Sequence, residues 1–234
     1  MCGRFIQVSP PARLLEHFDC DEAIADTGGP DWNVTPRREV LVVVQDPDGR
    51  RVLDRRRWGL IPSWAREAAM GDRLINARSE TAAEKPSFRS AFARRRCIVP
   101  VDGFYEWRAV PGRRTKQPVF IHAPGDAPLA LAGLWESWQD PTAPEDAPPV
   151  RTCAILTTDA NARLAPVHDR MPVILPSAAW SVWLDPASDP KGFAPLLVPA
   201  PDTTVEFHEV GTAVNSPRHN DASLIEPAPP ETLF

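Results

Sequence analysis

Short runs of hydrophobic residues, separated by turn-forming residues, recur along the whole chain. Most runs are rich in β-branched or aromatic residues and are bounded by Pro, Gly or Asp, which is the pattern of β-strands. The predicted strands span residues 2–6, 39–45, 51–58, 97–101, 104–108, 118–122, 129–137, 152–157, 173–175 and 204–210. The segment DPDG at 46–49 predicts a hairpin turn between two of them.

Helical patterns are few and short. They cover residues 10–18, 79–84, 87–94 and 177–184. Ser9 is the predicted N-cap of the first helix. The sequence therefore predicts the α+β class, as a single domain over residues 1–226 with a mostly antiparallel, barrel-like β core and short peripheral helices. A frayed tail is expected at 227–234.

Composition narrows the functional classes. With 234 residues, 43% of them hydrophobic and 24% charged, the chain has the size and balance of one globular domain. Without a long apolar stretch or a secretory leader, we expect a cytoplasmic monomer with no membrane partner. The four cysteines form no CxxC pair, so we expect neither a disulfide framework nor a metal site, and no cofactor.

The net charge of −5 hides an uneven distribution. Residues 1–120 hold 21 Lys and Arg against 16 Asp and Glu, whereas residues 121–234 hold 5 against 15. Basic clusters at 55–57, 94–96 and 113–116 indicate either a local positive face suited to nucleic acid or solvated strand ends and turns.

The second residue is the first candidate for chemistry. Removal of Met1 would leave Cys2 with a free α-amine and a thiol on adjacent carbons. Such an aminothiol captures an aldehyde as an imine, and the thiol then closes a five-membered thiazolidine. The alternative is that Cys2 is a small apolar strand residue without a chemical role.

Two polar segments stand out further along the chain. Asn76 and Arg78 follow an apolar run that leads into a predicted helix, where an amide suits a carbonyl or hydroxyl and a guanidinium suits a phosphate. A turn cap and an ion pair are the alternatives. Glu106 lies in the aromatic strand FYEW, which favours a carboxyl group with an acid–base role unless it is paired with Arg108 or another arginine.

A histidine and two tryptophans complete the candidates. His168 stands beside Asp169 before an apolar strand, which indicates either an imidazole held for proton transfer or a solvated turn. Trp58 and Trp64 flank a proline-containing loop. An exposed indole there would stack on an unpaired base, whereas a buried one would fill the core.

Seven short motifs run through the chain in a fixed order. They are MCGRF, WNVTP, RRWGLIPSW, INARSET, FYEW, HDRMPVIL and AVNSPRHN, and they extend from residue 1 to residue 220. Taken together they resemble the SOS-response-associated peptidase family, the abasic-site processing proteins. No single motif is decisive, but seven in this order are highly specific.

The resemblance implies a DNA-damage enzyme with autopeptidase and lyase-type chemistry. Met1 is then removed, and Cys2 forms a thiazolidine with the opened sugar of an abasic site in single-stranded DNA, which shields the lesion. By the same resemblance, Asn76 positions Cys2 and the opened sugar, Glu106 acts as acid and base in ring opening and crosslink reversal, and His168 assists the imine chemistry.

The resemblance also implies DNA contacts. These are Arg4 and Arg78 on phosphates beside the lesion, and Pro36, Trp64 and Thr157 along the path of the strand. Family members can carry two adjacent aromatic residues where this chain has Trp64-Ala65. A wedge that unstacks a neighbouring duplex is therefore reduced, and a preference for junctions of single and double strands is less secure than the crosslink.

Two other classes of protein remain open. An N-terminal Cys-Gly also begins glutamine amidotransferases, in which the thiol attacks an amide and the amine acts as base. This chain has no length to spare for the acceptor domain of those enzymes. The other class is a non-covalent module that binds single-stranded DNA through arginines and tryptophans, with Cys2 incidental.

Overall fold

Strands carry most of the regular structure in the computed structural model, which describes residues 2–229. They are β1 (Phe5–Gln7), β2 (Glu22–Ala23), β3 (Asp31–Val34), β4 (Glu39–Gln45), β5 (Arg51–Trp58), β6 (Asn76–Arg78), β7 (Arg96–Val101), β8 (Gly103–Arg108), β9 (Gln117–His122), β10 (Leu129–Trp138), β11 (Val150–Asp159), β12 (Arg170–Pro172) and β13 (Glu206–Glu209).

The helices are short and peripheral, as predicted. They are α1 (Pro11–His17), α2 (Ser79–Ala82), α3 (Arg89–Arg94) and α4 (Trp180–Leu184). Short 3₁₀ helices lie at Ala68–Arg73, Ser177–Ala179, Pro190–Leu196, Asp202–Thr204, Thr212–Asn215 and Ala222–Ile225.

Five strands close into a barrel. The strands β5, β4, β7, β10 and β11 pair in that order, and β11 returns to β5. The closing pair is parallel, with Cys153 opposite Trp58. The other four pairs are antiparallel. The α+β class with a mostly antiparallel, barrel-like core is therefore confirmed.

The barrel strands bury both of their faces. In β4, Val40 and Val42 point into the barrel, whereas Leu41 and Val43 pack in a second core that also contains Phe92 of α3. A strand that is covered on both sides needs a continuous hydrophobic run instead of an alternating one. This is why the VLVVV segment of β4 is apolar throughout.

A second sheet brings the N-terminal residues to the barrel. Its order is β13–β9–β8–β1–β3, and Phe5 of β1 lies opposite Phe104 of β8. Gln7 joins this sheet to the barrel. Its Nε2 donates to the carbonyls of Leu41 (2.9 Å) and Pro100 (2.7 Å), and its Oε1 accepts from the Leu41 N–H (2.9 Å).

Two local predictions are wrong. The strand predicted at 173–175 begins at Arg170 instead, as β12, and after Pro172 the chain crosses to β10, where Ile174 bridges Leu131. Ser9 does not cap α1. Its hydroxyl donates to Asp102, and the first turn of the helix has no side-chain cap.

The C-terminal segment stays attached to β13 beyond residue 226. Pro227 bridges Val210, and the Ala228 N–H donates to the Glu209 carbonyl at 2.8 Å. The predicted tail from 230 to 234 lies outside the described residues. Between residues 2 and 229, no helix has the length and apolar character needed to cross a bilayer.

Candidate active site

Cys2 lies in the core where β5 ends and β6 takes its place beside β11. Its side chain is fully buried in the cluster that contains Phe5, Trp58 and Ile155. The Tyr105 N–H donates to the Arg4 carbonyl at 2.9 Å, which continues the pairing of β1 with β8. This pairing carries Cys2 alongside the part of β8 that contains Glu106.

Asn76 holds Cys2 through its amide group. Its Nδ2 donates to the Cys2 carbonyl oxygen at 2.8 Å. Trp58 Nε1 donates to the neighbouring Ile75 carbonyl at 2.9 Å, which fixes the backbone next to Asn76. The Asn76 Oδ1 is buried without a hydrogen-bond partner among residues 2–229. The amide therefore has an acceptor available for a donor that arrives at Cys2.

Glu106 acts electrostatically on the thiol. Glu106 is only 5% exposed. Burial raises the pKa of the Cys2 thiol well above its ordinary range, and the negative charge of Glu106 raises it further, whereas the Arg4 backbone N–H acts in the opposite direction. The thiol therefore stays protonated at neutral pH, and its proton has to be transferred as it reacts. Arg108, the alternative partner of Glu106, pairs with Glu209.

His168 lies in the loop between β11 and β12. Its Nδ1 is 2.7 Å from Asp169 Oδ1 and 3.0 Å from the Arg170 backbone nitrogen. The two contacts require opposite tautomers. Asp169 is 86% exposed, so its attraction is screened by water. When Nδ1 accepts from the Arg170 N–H, Nε2 is left to carry the proton of the ring.

The His168 loop is seated on the same core as Cys2. Leu164 and Val167 belong to the hydrophobic cluster that contains Cys2. The His168 N–H donates to the Leu164 carbonyl at 3.0 Å. The structure thus joins Cys2 to Asn76 by a hydrogen bond and to Glu106 electrostatically, and it packs the loop that carries His168 on the hydrophobic cluster that contains Cys2.

Arg170 is a site residue that sequence reasoning missed. Its guanidinium is nine-tenths buried and donates to both carboxylate oxygens of Glu80 (2.7 and 2.9 Å), to Asp159 (2.7 Å) and to the Thr157 carbonyl (2.7 Å). It therefore fastens α2, just after Arg78, to β11 and β12. No local pattern indicated this pairing, because Arg170 and Glu80 are 90 positions apart.

Arg4 is held in place by the C-terminal part of the chain. Its Nη1 donates to Asn33 Oδ1 at 2.6 Å and to the Val214 carbonyl at 2.8 Å, and its guanidinium carbon lies 5.7 Å from the centre of the Trp107 ring. Asn33 Nδ2 in turn donates to the Ser216 carbonyl at 3.0 Å. The AVNSPRHN motif thus positions the N-terminal arginine, a role the sequence did not suggest.

The other predicted DNA contacts differ in exposure. Arg78 is exposed at the end of β6, and Pro36 is half-buried after β3. Thr157 differs from the expectation, since its side chain is fully buried and its hydroxyl lies 3.5 Å from the Ala77 carbonyl. Its hydroxyl is therefore part of the interior, beneath the surface that Arg78 occupies.

The loop after β5 separates its two tryptophans. Trp58 is fully buried and fills the core, whereas Trp64 is 57% exposed beside a surface cavity of about 550 Å³ that also contains Met70 and Leu74. Ala65 is buried and its carbonyl accepts from Trp138 Nε1 at 2.7 Å. This loop therefore presents a single exposed indole.

The remaining cysteines are free, and Cys97 and Cys153 lie inside the barrel. Among the residues that the structure describes, no group of three or more His, Cys, Asp or Glu side chains is arranged to hold a metal ion.

The fold and the order of the motifs define the class of protein. The family model "SOS response associated peptidase (SRAP)" matches residues 1–217, and the chain belongs to this family. It is similar to the abasic site processing protein YoqW of Bacillus subtilis (strain 168), with 40% identity over 228 residues that cover 97% of this chain and 99% of the relative. It is 36% identical to the abasic site processing protein HMCES of Gallus gallus over 79% of this chain and 60% of that protein.

Solved structures share the fold. A crystal structure of a protein from Bacteroides thetaiotaomicron covers 97% of this chain and 100% of its own, with a TM-score of 0.84 and 24% identity. A second, from Bordetella bronchiseptica, covers 90% and 100%, with a TM-score of 0.75 and 26% identity.

Proposed function

We propose that this protein captures abasic sites in single-stranded DNA as a thiazolidine on Cys2, after removal of Met1, and so shields the lesion. The observation that carries the proposal is the setting of Cys2, whose carbonyl is bonded to Asn76 at 2.8 Å and whose thiol is influenced by the charge of Glu106. The relatives named as abasic site processing proteins support the same substrate.

Two bonds form at one carbon atom. The α-amine of Cys2 adds to the aldehyde carbon of the opened sugar, and loss of one water gives an imine. The sulfur then adds to the imine carbon, while the thiol proton is transferred to the ring nitrogen. The second step is intramolecular, so it gains from the fixed proximity of sulfur and carbon.

Glu106 and His168 assist the proton transfers of this reaction. A free thiolate beside a carboxylate is disfavoured, so sulfur attack and proton transfer to Glu106 occur together. Glu106 then returns the proton to the ring nitrogen. In the reverse reaction it accepts the proton of the ring nitrogen and returns it to the sulfur. His168 assists imine formation through a hydrogen bond to the hydroxyl group that leaves as water.

Asn76 fixes the geometry of the reacting groups. Its Nδ2 is occupied by the Cys2 carbonyl, and its open Oδ1 accepts a hydrogen bond from a hydroxyl of the opened sugar. The amide therefore holds the nucleophile and the aldehyde next to each other through one side chain. This alignment accelerates the reaction most when both groups would otherwise move freely.

The DNA strand is recognised by phosphate contacts and by stacking. Arg4, oriented by Asn33, and the exposed Arg78 bind phosphates on either side of the lesion. Trp64 stacks on an unpaired base, and Pro36 borders the path. With one indole in place of two aromatics, single-stranded DNA is the preferred substrate over a junction. The protein acts as a cytoplasmic monomer on exposed DNA.

The test is the intact mass of the purified protein before and after incubation with an abasic oligonucleotide. We expect the starting mass to lack the Met1 residue, and a denaturation-resistant adduct to appear with abasic DNA but not with undamaged DNA. Cys2→Ala abolishes the adduct because both bonds to the sugar require the aminothiol.

Contrary results identify the other two classes. If Cys2→Ala binds DNA as before and the wild type forms no adduct, the protein is a non-covalent binding module. Ammonia release from glutamine that depends on Cys2 would instead identify an amidotransferase. A chain that retains Met1 and still forms the adduct would contradict the role of the α-amine.

A further inference from the structure

A second cavity opens at the other end of the barrel from Cys2. In β5, Trp58 lies beside Cys2, whereas Val52, Asp54 and Arg56, two to six residues earlier, border a cavity of about 470 Å³. This volume is within the range of about 300–1,000 Å³ that is typical of small-molecule sites. The cavity shares no lining residue with the candidate active site.

The polar part of this cavity has an excess of positive charge. Arg56 and Arg151 share the single carboxylate of Asp54, with 3.2 Å between Arg151 Nη1 and Asp54 Oδ2. Arg94, at the end of α3, is exposed at the rim and has no ion pair with a described residue. The other lining carboxylate, Asp46, is paired at 2.9 Å with Arg50, which lies outside the cavity and also pairs with Glu22 at 3.0 Å. An anion is therefore the missing counterpart.

Arg56 is the buried basic residue of this site. Its side chain is 3% exposed, and its guanidinium carbon lies 5.1 Å from the centre of the Trp135 ring. The Nη1 atom is bonded to Asp54, whereas Nε has no hydrogen-bond partner in the described part of the chain. A buried guanidinium with an unused donor is costly unless an acceptor reaches it.

Besides Gln45, Arg96 and Ser137, the remainder of the lining is apolar. Val44 and Val52 form the floor, the half-buried Trp135 forms one side, and Ile24 and Leu184 contribute further aliphatic surface. Inorganic phosphate would leave this surface unused. A ligand that matches both parts has a flat apolar body joined to a phosphate group.

We propose that this cavity binds a nucleoside 5′-monophosphate, either as the free nucleotide or as the 5′-phosphorylated end of a DNA strand. The base lies against Trp135 and the aliphatic floor, and the phosphate is held by Arg56, Arg94 and Arg151. The phosphate then accepts the bonds that Asp54 alone cannot supply to two guanidinium groups.

The test is a calorimetric titration of the full chain with dAMP. We expect saturable binding that weakens at least about tenfold in Arg94→Ala and in Arg151→Ala, because each removes a phosphate contact. Both side chains are exposed, so the fold is retained, as melting curves would verify. Arg56 is not substituted, because its loss would leave Asp54 buried with one partner.

Matched variants locate the ligand. Arg89→Ala, on α3 five residues before Arg94, removes the same charge outside the cavity and should bind dAMP as the wild type does. An undamaged oligonucleotide is compared with and without a 5′-phosphate. A phosphate-dependent gain that Arg151→Ala abolishes, without dAMP binding, assigns the site to strand ends.

Three results would overturn the proposal. The first is that neither dAMP nor the 5′-phosphate gives a binding signal. The second is binding that Arg94→Ala and Arg151→Ala leave unchanged. The third is inorganic phosphate that binds as tightly as dAMP, since the apolar lining would then contribute nothing.

Discussion

The sulfur of Cys2 is placed where burial and a carboxylate both oppose its ionisation. A residue whose only role is to attack as a thiolate would be expected in an electropositive, partly exposed setting. Cys2 has the opposite surroundings, fully buried and next to Glu106. These surroundings fit a thiol that gives up its proton only while it bonds to a carbon already activated as an imine.

The first prediction at this scale concerns the thiol itself. Glu106→Gln should lower the pKa of the Cys2 thiol, because it removes one of the two causes that raise it, and should leave it above its ordinary range, because burial is the larger cause. The measurement is the rate of iodoacetamide modification of Cys2 against pH, read by mass spectrometry. Cys20, whose pKa is raised to about 12 mainly by burial, is the internal reference. An unchanged Cys2 profile would show that the carboxylate does not act on the sulfur.

Loss of the Glu106 carboxylate should also affect release of the crosslink. Glu106→Gln should slow reversal more than initial DNA binding, because reversal requires a proton for the departing sulfur and an acceptor for the proton of the ring nitrogen. We expect a fall of about 10²–10⁴-fold in the release rate, the usual size of a general acid–base contribution. The readout is adduct remaining after transfer to excess unlabelled abasic DNA, with binding measured separately on undamaged DNA. Equal release rates would remove Glu106 from this role.

At the scale of elements, the hydrogen bonds of Arg170 connect α2 with β11 and β12. The hydrogen bond from Arg170 lowers the pKa of the Glu80 carboxyl below its ordinary 4.5. The folded-state pKa is thus below the unfolded one, so the ion pair stabilises the fold fully above pH 4.5 and stops doing so as pH falls through the lowered value. The Glu80–Arg170 pair should therefore make part of the stability acid-labile.

The check is a comparison of melting temperatures for wild type and Glu80→Gln from about pH 7 to about pH 3. The difference between them should be largest near neutrality and shrink towards acid, where the wild type has also lost its charge. Glu84→Gln, which removes an exposed carboxylate just after α2, is the matched control and should show no such trend. A constant difference for Glu80→Gln would contradict the pairing.

The elements that the sequence predicted are those whose hydrophobic pattern is set locally. The apolar run of β4 and the hairpin at 46–49 are examples, and both are confirmed. The strand β3 was missed because Asp31 and Asn33 are unfavourable in strands, and its conformation is fixed instead by pairing with β1 and by the bonds of Asn33 to distant groups.

The residues of the candidate site likewise fall into those that the sequence indicated and those that it did not. Cys2, Asn76 and Glu106 were predicted as site residues because their motifs are recognisable in order, not because periodicity brings them together. The supports behind them, Arg170 and Asn33, could not be predicted, since each acts through pairs that are distant in sequence and depend on how the strands pack. Side-chain pairing at long separation leaves no local pattern in a single sequence.

At the scale of the whole molecule, Gln7 links the two sheets. Gln7→Ala should lower the free energy of unfolding by about 1–3 kcal/mol, because the backbone groups of Leu41 and Pro100 lose a partner at the junction. Urea unfolding measures this loss. Gln139→Ala, which removes a bond to Ala147 at the surface, is the control and should be close to neutral. Equal stability of wild type and Gln7→Ala would mean that packing alone joins the sheets.

The position of the second residue has a practical consequence for anyone who prepares the protein. Because Cys2 is an interior residue with its carbonyl bonded to Asn76, a purification handle fused ahead of it would begin inside the domain. Its linker would have to pass through the space beside Asn76 and Glu106. Reagents for structural or binding work should therefore carry their affinity handle after the last residue of the chain, leaving the start of the protein as the cell makes it.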